Sequence, residues 1–389
     1  MMATRTLRQR WVTVHRWLGL VAGLLFAVMG LSGSVLVYYQ ELDQWLNPAL
    51  ALPQDRGAIQ PMTRILAAAQ AKADGRFVHS VYPAGPDFPV HHVWLTPSAA
   101  DQSRMWEMLV DPRSARVLGE RQAVPVFSPD RATLMNTIYT LHYNLFAGPI
   151  GATLVGLIGL VLLASVVSGI VLWWPRGAKW RQALTLKRGA RGHRLHVDLH
   201  RLAGSYGVVL IALAAFTGVC LVFPDYVARL FPPEARPAAA TARAKLPGAG
   251  PHPDADRVLA AAREPMPGTA PVLLWLPGAK GADWSVTLRE PQGIAFAGGK
   301  SDVVIDRASG RITRLDAYAA ASRADAFQAW QLPLHNGTAF GGVGRILMCI
   351  AGLLPTLLLI TGTLIFLRRR RARSGRAARS QSLMLEGMH

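Results

Sequence analysis

Four long apolar runs punctuate this chain: Trp17–Tyr39, Ile150–Trp174, Leu202–Pro224 and Val343–Leu367. Each is about 20 residues or longer, nearly free of charge and dotted with glycine. At about 1.5 Å rise per residue, each run crosses the roughly 30 Å hydrocarbon core of a bilayer as one helix. The first is too long for the apolar region of a secretory signal. The small-x-small site Ser32-Gly33-Ser34 lies inside the run rather than after it, which predicts a retained anchor. Two hydrophilic stretches separate the runs. Each carries a short amphipathic helix pattern (Thr63–Ala73; Asp254–Arg263) and then strand-like runs, with hairpins predicted over Val110–Val117 and Ile305–Ile312 around Asp/Ser/Gly turns. The Pro/Ala-rich piece Phe231–Pro253 lacks periodicity and reads as a linker.

The pattern is stated twice. His15-Arg16-Trp17-Leu18-Gly19 returns as His200-Arg201-Leu202-Ala203-Gly204, an offset of 185. Leu141-His142 with Gly151 returns as Leu334-His335 with Gly344, and Arg64–Ala69 as Arg257–Ala262, both at an offset of 193. Ser32-Gly33 matches Thr217-Gly218, and Ser168-Gly169 matches Thr361-Gly362. Several matches in one order at nearly one offset mark a diverged tandem duplication.

These patterns predict an α-helical membrane protein with four transmembrane helices in two tandem repeats, plus two α+β domains outside the membrane. The expected boundaries are an N-terminal segment and first span (1–39), a first outer domain (40–149), a second span (150–174), a basic loop (175–201), a third span (202–224), a second outer domain (225–342), a fourth span (343–367) and a basic tail (368–389).

Charge orients the arrangement. The net charge is +19, and the sequence pI is about 11.0. Four arginines in 1–16, eight Lys/Arg in 175–201 and seven arginines in 368–389 stand against only Asp198 and Glu386 in those segments. The positive-inside rule puts these three segments, and so both termini, in the cytoplasm, and the two large stretches on the opposite side of the membrane. A nucleic-acid partner would need aromatic or motif support that is not present; the lipid bilayer is the expected partner of the basic segments. The two cysteines, Cys220 and Cys349, both fall inside predicted spans and point to no disulfide framework.

Of eleven histidines, His79, His91, His92, His193, His252 and His389 sit in hydrophilic segments and read as solvated or locally hydrogen-bonded. His15 and His200 open the odd spans at the inner face, and His142 and His335 precede the even spans at the outer face. An imidazole at the edge of hydrocarbon is costly without a partner. Two facing imidazoles at one depth, twice over, suit bis-histidine ligation of two b-type haems, with the flat macrocycle between helices. Interfacial hydrogen bonding is the plainer alternative. Zinc or non-haem iron is a rival, though it wants more ligands per site. His196, four residues before His200, is a second candidate at the inner site but has no repeat partner, since Trp11 takes its place. Asp198 is placed to orient a neighbouring imidazole. Arg16 and Arg201 follow the inner histidines and Arg345 is the one charge within a predicted span; they suit haem propionates, or the first two are simply positive-inside anchors. Nothing resembles a nucleotide or flavin site, so electrons would have to come from another carrier.

The residues His15-Arg16-Trp17-Leu18-Gly19, Asp198-Leu199-His200-Arg201 with Gly204, Trp173-Trp174-Pro175-Arg176 and Leu334-His335 resemble those of the PepSY-associated transmembrane family, also called iron-regulated membrane proteins. The hairpins at Asp111 and Asp306 resemble those of PepSY domains. The resemblance covers almost the whole chain and implies four helices, two periplasmic PepSY-like domains and, as in ferric-siderophore reductases of the FoxB type, haem and electron transfer towards a periplasmic ferric siderophore. The donor stays open between a quinol and a cytoplasmic reductase. A non-enzymatic PepSY-type binding or regulatory protein and a b-type cytochrome subunit of another oxidoreductase are the alternatives.

Overall fold

The computed structural model describes residues 6–85, 88–124, 126–175, 177, 179–232, 252–290 and 299–386, so most of the predicted linker, and His389, lie outside the described residues. Three helical stretches are long and apolar enough to cross a membrane: α7 (Gly148–Trp173), α9 (Gly192–Val222) and Thr338–Ala372, which opens α13 (Gly341–Glu386). The first apolar run is not one rod. It forms α1 (Leu7–Val21) and α2 (Gly23–Leu36), bent by 56° to each other, so among the described residues the candidate spans number three, or four if that pair counts as one. The break falls at Ala22, between Gly19 and Gly23, where φ −92° and ψ −9° stay in the right-handed helical region and the amide still bonds the Leu18 carbonyl. A side chain at Gly23 would meet Leu359 of α13, with its Cβ 2.7 Å from the leucine methyl, so this turn is packed backbone-close.

Small residues bring the long helices together. Gly30 of α2 and Gly352 of α13 touch backbone to backbone, since a Cβ on Gly30 would lie 2.1 Å from the Gly352 carbonyl oxygen. Beside them the Ser34 hydroxyl donates to the Cys349 carbonyl at 2.8 Å. Close approach through small residues, with a polar clasp, is how helices associate where lipid removes the hydrophobic drive. Trp173, Trp174 and Trp180 cluster edge to face where α7 ends and the short α8 (Trp180–Ala183) begins, the setting of an interfacial aromatic anchor.

The two hydrophilic stretches build one sheet. The first contributes β1 (Phe77–Tyr82), β2 (His91–Thr96), β3 (Met105–Val110) and β4 (Val117–Val124); the second contributes β5 (Ala270–Trp275), β6 (Trp284–Arg289), β7 (Lys300–Ile305) and β8 (Ile312–Asp316). The order is β4-β3-β2-β1-β5-β6-β7-β8, antiparallel throughout, with Ser80 opposite Trp275 and Val81 opposite Leu274 at the seam. Both expected hairpins form. Asp111 accepts from the Arg113 and Ser114 amides and Asp306 from the Ser309 amide, which fixes the two turns.

The two hydrophilic stretches, expected as two α+β domains, thus share one sheet. A four-stranded half would leave β1 or β5 as an open edge; pairing those edges removes both. One hydrophobic core runs across the seam, with Ile65, Val81, Val93 and Met108 from one half and Val258, Leu274, Val286 and Ile305 from the other. The paired helices α5 (Met62–Ala71) and α11 (Ala255–Arg263) pack on it. The Asp256 carboxylate of α11 accepts from the Met62 and Thr63 amides and caps α5 across the halves.

Short helices join sheet and membrane helices. After α2 come α3 (Tyr39–Leu46) and α4 (Pro48–Ala51); α6 (Leu134–Asn144) leads from β4 into α7; α10 (Pro224–Ala228) follows α9; α12 (Arg323–Asn336) leads into α13.

Candidate functional site

Four histidines meet in two pairs at opposite ends of the helices. At the end far from the sheet, the rings of His15 (α1) and His200 (α9) lie with centroids 6.2 Å apart, at 79° to each other. At the sheet end, His142 (α6) and His335 (α12) lie 6.1 Å apart at 51°. All four are half-buried. The two ends are bridged by α9, which carries His200 near one pair and Thr217 against the other, a rise of roughly 25 Å.

Each imidazole is held in the same way. Nδ1 of His15 lies 2.8 Å from the Ser168 hydroxyl, Nδ1 of His142 lies 3.0 Å from Ser32, Nδ1 of His200 lies 3.0 Å from Thr361, and Nδ1 of His335 lies 2.9 Å from Thr217. The glycine after each hydroxyl residue makes room for the ring. A Cβ on Gly33, Gly169, Gly218 or Gly362 would stand 3.0, 3.3, 3.2 or 3.3 Å from the Cε1 of its histidine. A His from one helix thus docks on a Ser-Gly or Thr-Gly step of another, four times. These hydroxyls are missing from the sequence-based site, although the matched Ser-Gly and Thr-Gly steps of the two repeats were their signal.

With Nδ1 engaged, Nε2 is the nitrogen left for another partner. Two imidazoles that share one metal atom at about 2.0 Å per nitrogen place their ring centres roughly 6 Å apart, which is the spacing of both pairs. Among the described residues there is no group of three or more His, Cys, Asp or Glu arranged to hold a metal ion. Each pair therefore offers two imidazoles, fewer donors than the four-coordinate sites of zinc use.

The remaining expected residues are placed as follows. His196 is half-buried one turn before His200, and the ring opposite His15 is that of His200. Asp198 orients no imidazole. Buried, it accepts from Arg194 Nε and the Lys187 amide and pairs with Arg201 at 3.2 Å, so it anchors the basic loop. Arg16 lies over the Trp17 and Phe366 rings, and its Nε, like that of Arg201, is buried without a hydrogen-bond partner among the described residues. Arg345 is already engaged: it bonds the Val37 carbonyl at 2.7 Å and pairs with Glu41 at 2.6 Å.

His79, His91 and His92, expected at the surface, are buried in β1 and β2. His92 Nδ1 lies 2.5 Å from Glu107 of β3; Glu107 accepts from Arg121 of β4 at 2.6 Å, and Arg121 grips Asp43 of α3 through two bonds of 2.7 and 2.8 Å. Burial alone would raise the Glu107 pKa, but His92 and Arg121 outweigh it and bring it to about 2. His91 is pushed down to about 4 by burial and by His92. His193 and His252 are exposed, as expected.

Comparison with known proteins agrees with this architecture. Over 85 residues the chain is 36% identical to an uncharacterized protein of Pseudomonas aeruginosa, a match that spans 22% of this chain and 21% of the relative. The model of the PepSY-associated TM region matches residues 12–369, from the turn before His15 to the basic end of the last apolar run. The chain belongs to the PepSY-associated transmembrane family.

Proposed function

We propose that this chain is a haem-carrying reductase of the bacterial inner membrane, which passes electrons outward to reduce a ferric siderophore. With α1 and α2 counted as one of four spans, the charge distribution favours the basic segments and both termini in the cytoplasm and the sheet in the periplasm. His15 and His200 would hold one b-type haem and His142 and His335 a second. The observation that carries the reading is the pair of facing imidazoles, about 6 Å apart, at each end of one helical bundle. When bound between two such ligands, iron supplies one-electron transfer with no open position for oxygen chemistry.

The chain's own residues do the rest. The hydroxyl–glycine steps hold the ligands from separate helices. The buried Nε of Arg16, without a hydrogen-bond partner among the described residues, suits an anionic group beside the inner pair, as haem propionates would be, whereas Arg201 is tied to Asp198. Arg345, tied to Glu41, is less available for the outer one. Siderophore oxygens are hard donors that hold Fe(III) far better than Fe(II), so reduction releases the metal. The donor would be a quinol or a cytoplasmic reductase.

Stopped-flow mixing of dithionite-reduced protein with a panel of ferric siderophores tests the reading. Reoxidation with Fe(II) appearing in a chelator assay is expected. Haems that no ferric chelate oxidises, while a quinone or partner protein does so readily, would make the chain a cytochrome subunit instead.

A further inference from the structure

We infer that Ser32, Ser168, Thr217 and Thr361 are positioning residues for the four ligand imidazoles, each fixing the Nδ1–H tautomer and thereby tuning the bound haem. The inference rests on the haem reading above.

A hydroxyl has one proton to give, and here it is already committed. Ser32 Oγ donates to the Val28 carbonyl, Thr217 Oγ1 to Leu213 and Thr361 Oγ1 to Leu357, each at 2.7 Å, while Ser168 Oγ donates to Ser165 at 2.7 Å. An oxygen that has given its proton away can only accept, so the imidazole must donate from Nδ1. Nδ1 therefore faces an acceptor oxygen at all four positions. A neutral ring so held keeps its lone pair on Nε2, and the bond raises ligand basicity, which favours Fe(III) over Fe(II).

The wiring is separable by site. Ser168 and Thr361 serve only the pair His15–His200, and Ser32 and Thr217 only the pair His142–His335. Ser and Thr in apolar helices also bond their own carbonyls for purely structural reasons, so the test needs a readout that packing does not move.

Full-length, haem-loaded protein is titrated spectroelectrochemically, with electron paramagnetic resonance of the oxidised haems. Ser168→Ala and Thr361→Val are expected to shift the midpoint potential of one haem upward and weaken its retention by about 10- to 100-fold, leaving the other unchanged. Ser32→Ala and Thr217→Val should do the same to the second haem. Thr361→Ser, which restores the acceptor, should return both potential and resonance signature to wild type. Where an apolar variant does not accumulate, Thr361→Cys keeps the size and weakens the acceptor, and a smaller upward shift is expected. Wild-type potentials and signatures in the variants that fold would overturn the inference, even if their thermal stability fell. A wild type that takes up no haem at all would instead overturn the reading beneath it.

Discussion

An imidazole seated on a glycine, with a hydroxyl against its Nδ1, is the repeated unit of this protein, and the four that form it divide two and two between the ends of the bundle. Replacing His200 by Ala should remove one haem of two and leave the other, whereas His196→Ala should keep both; haem-to-protein ratios of the purified variants decide it, and the reverse pattern would assign His196 as the ligand. The four histidines were legible because the duplication kept them in register. Their hydroxyl partners were kept in register too, as the matched Ser-Gly and Thr-Gly steps, but a Ser or Thr in an apolar run also bonds its own helix, so the pattern did not say which side chain it meets. His91 and His92 were misread because a polar residue in a strand reads as solvent-facing unless its partner is known, and Glu107 lies on the next strand. Their burial has a consequence in acid. His91 is held neutral down to about pH 4, so the stability this contributes is present above its ordinary value of about 6.5 and is lost as pH falls below that. Glu107, depressed to about 2, contributes above its ordinary carboxylate range and loses it as pH falls towards 2. Thermal midpoints of the intact protein should therefore decline from about pH 6.5 downward, and Glu107→Gln should flatten the lower part of that decline. A midpoint that holds level between pH 7 and 4 would contradict the assignment for His91.

The sheet is tied to the first membrane helices through Arg121, whose guanidinium joins Glu107 of β3 to Asp43 of α3 with nothing exposed. Removing one member of a buried ion group leaves the others uncompensated, at a cost of about 3–5 kcal/mol. Arg121→Met should destabilise the protein on that scale, measured by denaturant unfolding in detergent. The double change Arg121→Met with Glu107→Leu should recover part of the loss, because no lone charge then remains on β3. An Arg121→Met cost within experimental error of zero would mean that the network is not closed as described. At this scale the sequence was informative where the signal is local: the Asp-centred turns place the β3–β4 and β7–β8 hairpins to the residue. The pairing of β1 with β5, nearly two hundred residues apart, leaves no local trace. The break at Ala22 was equally hidden, since α1 and α2 share one apolar run and only packing against α13 distinguishes them.

For the whole molecule, the duplication and the charge asymmetry make one claim between them. Two half-proteins, each carrying a histidine for either end, close into one sheet and one bundle. Concentrating nearly all the excess charge in three short segments predicts that reporters fused after residue 100 and after residue 290 both report the periplasm; a cytoplasmic signal from either would contradict the proposed outward direction of electron flow. The most direct test of the central claim is the visible spectrum and haem content of the purified protein, expressed with adequate haem. Two haems per chain with sharp low-spin bands are expected, falling to one when either His15 or His142 is changed to Ala. A colourless protein, or one whose haem content ignores both substitutions, would contradict it.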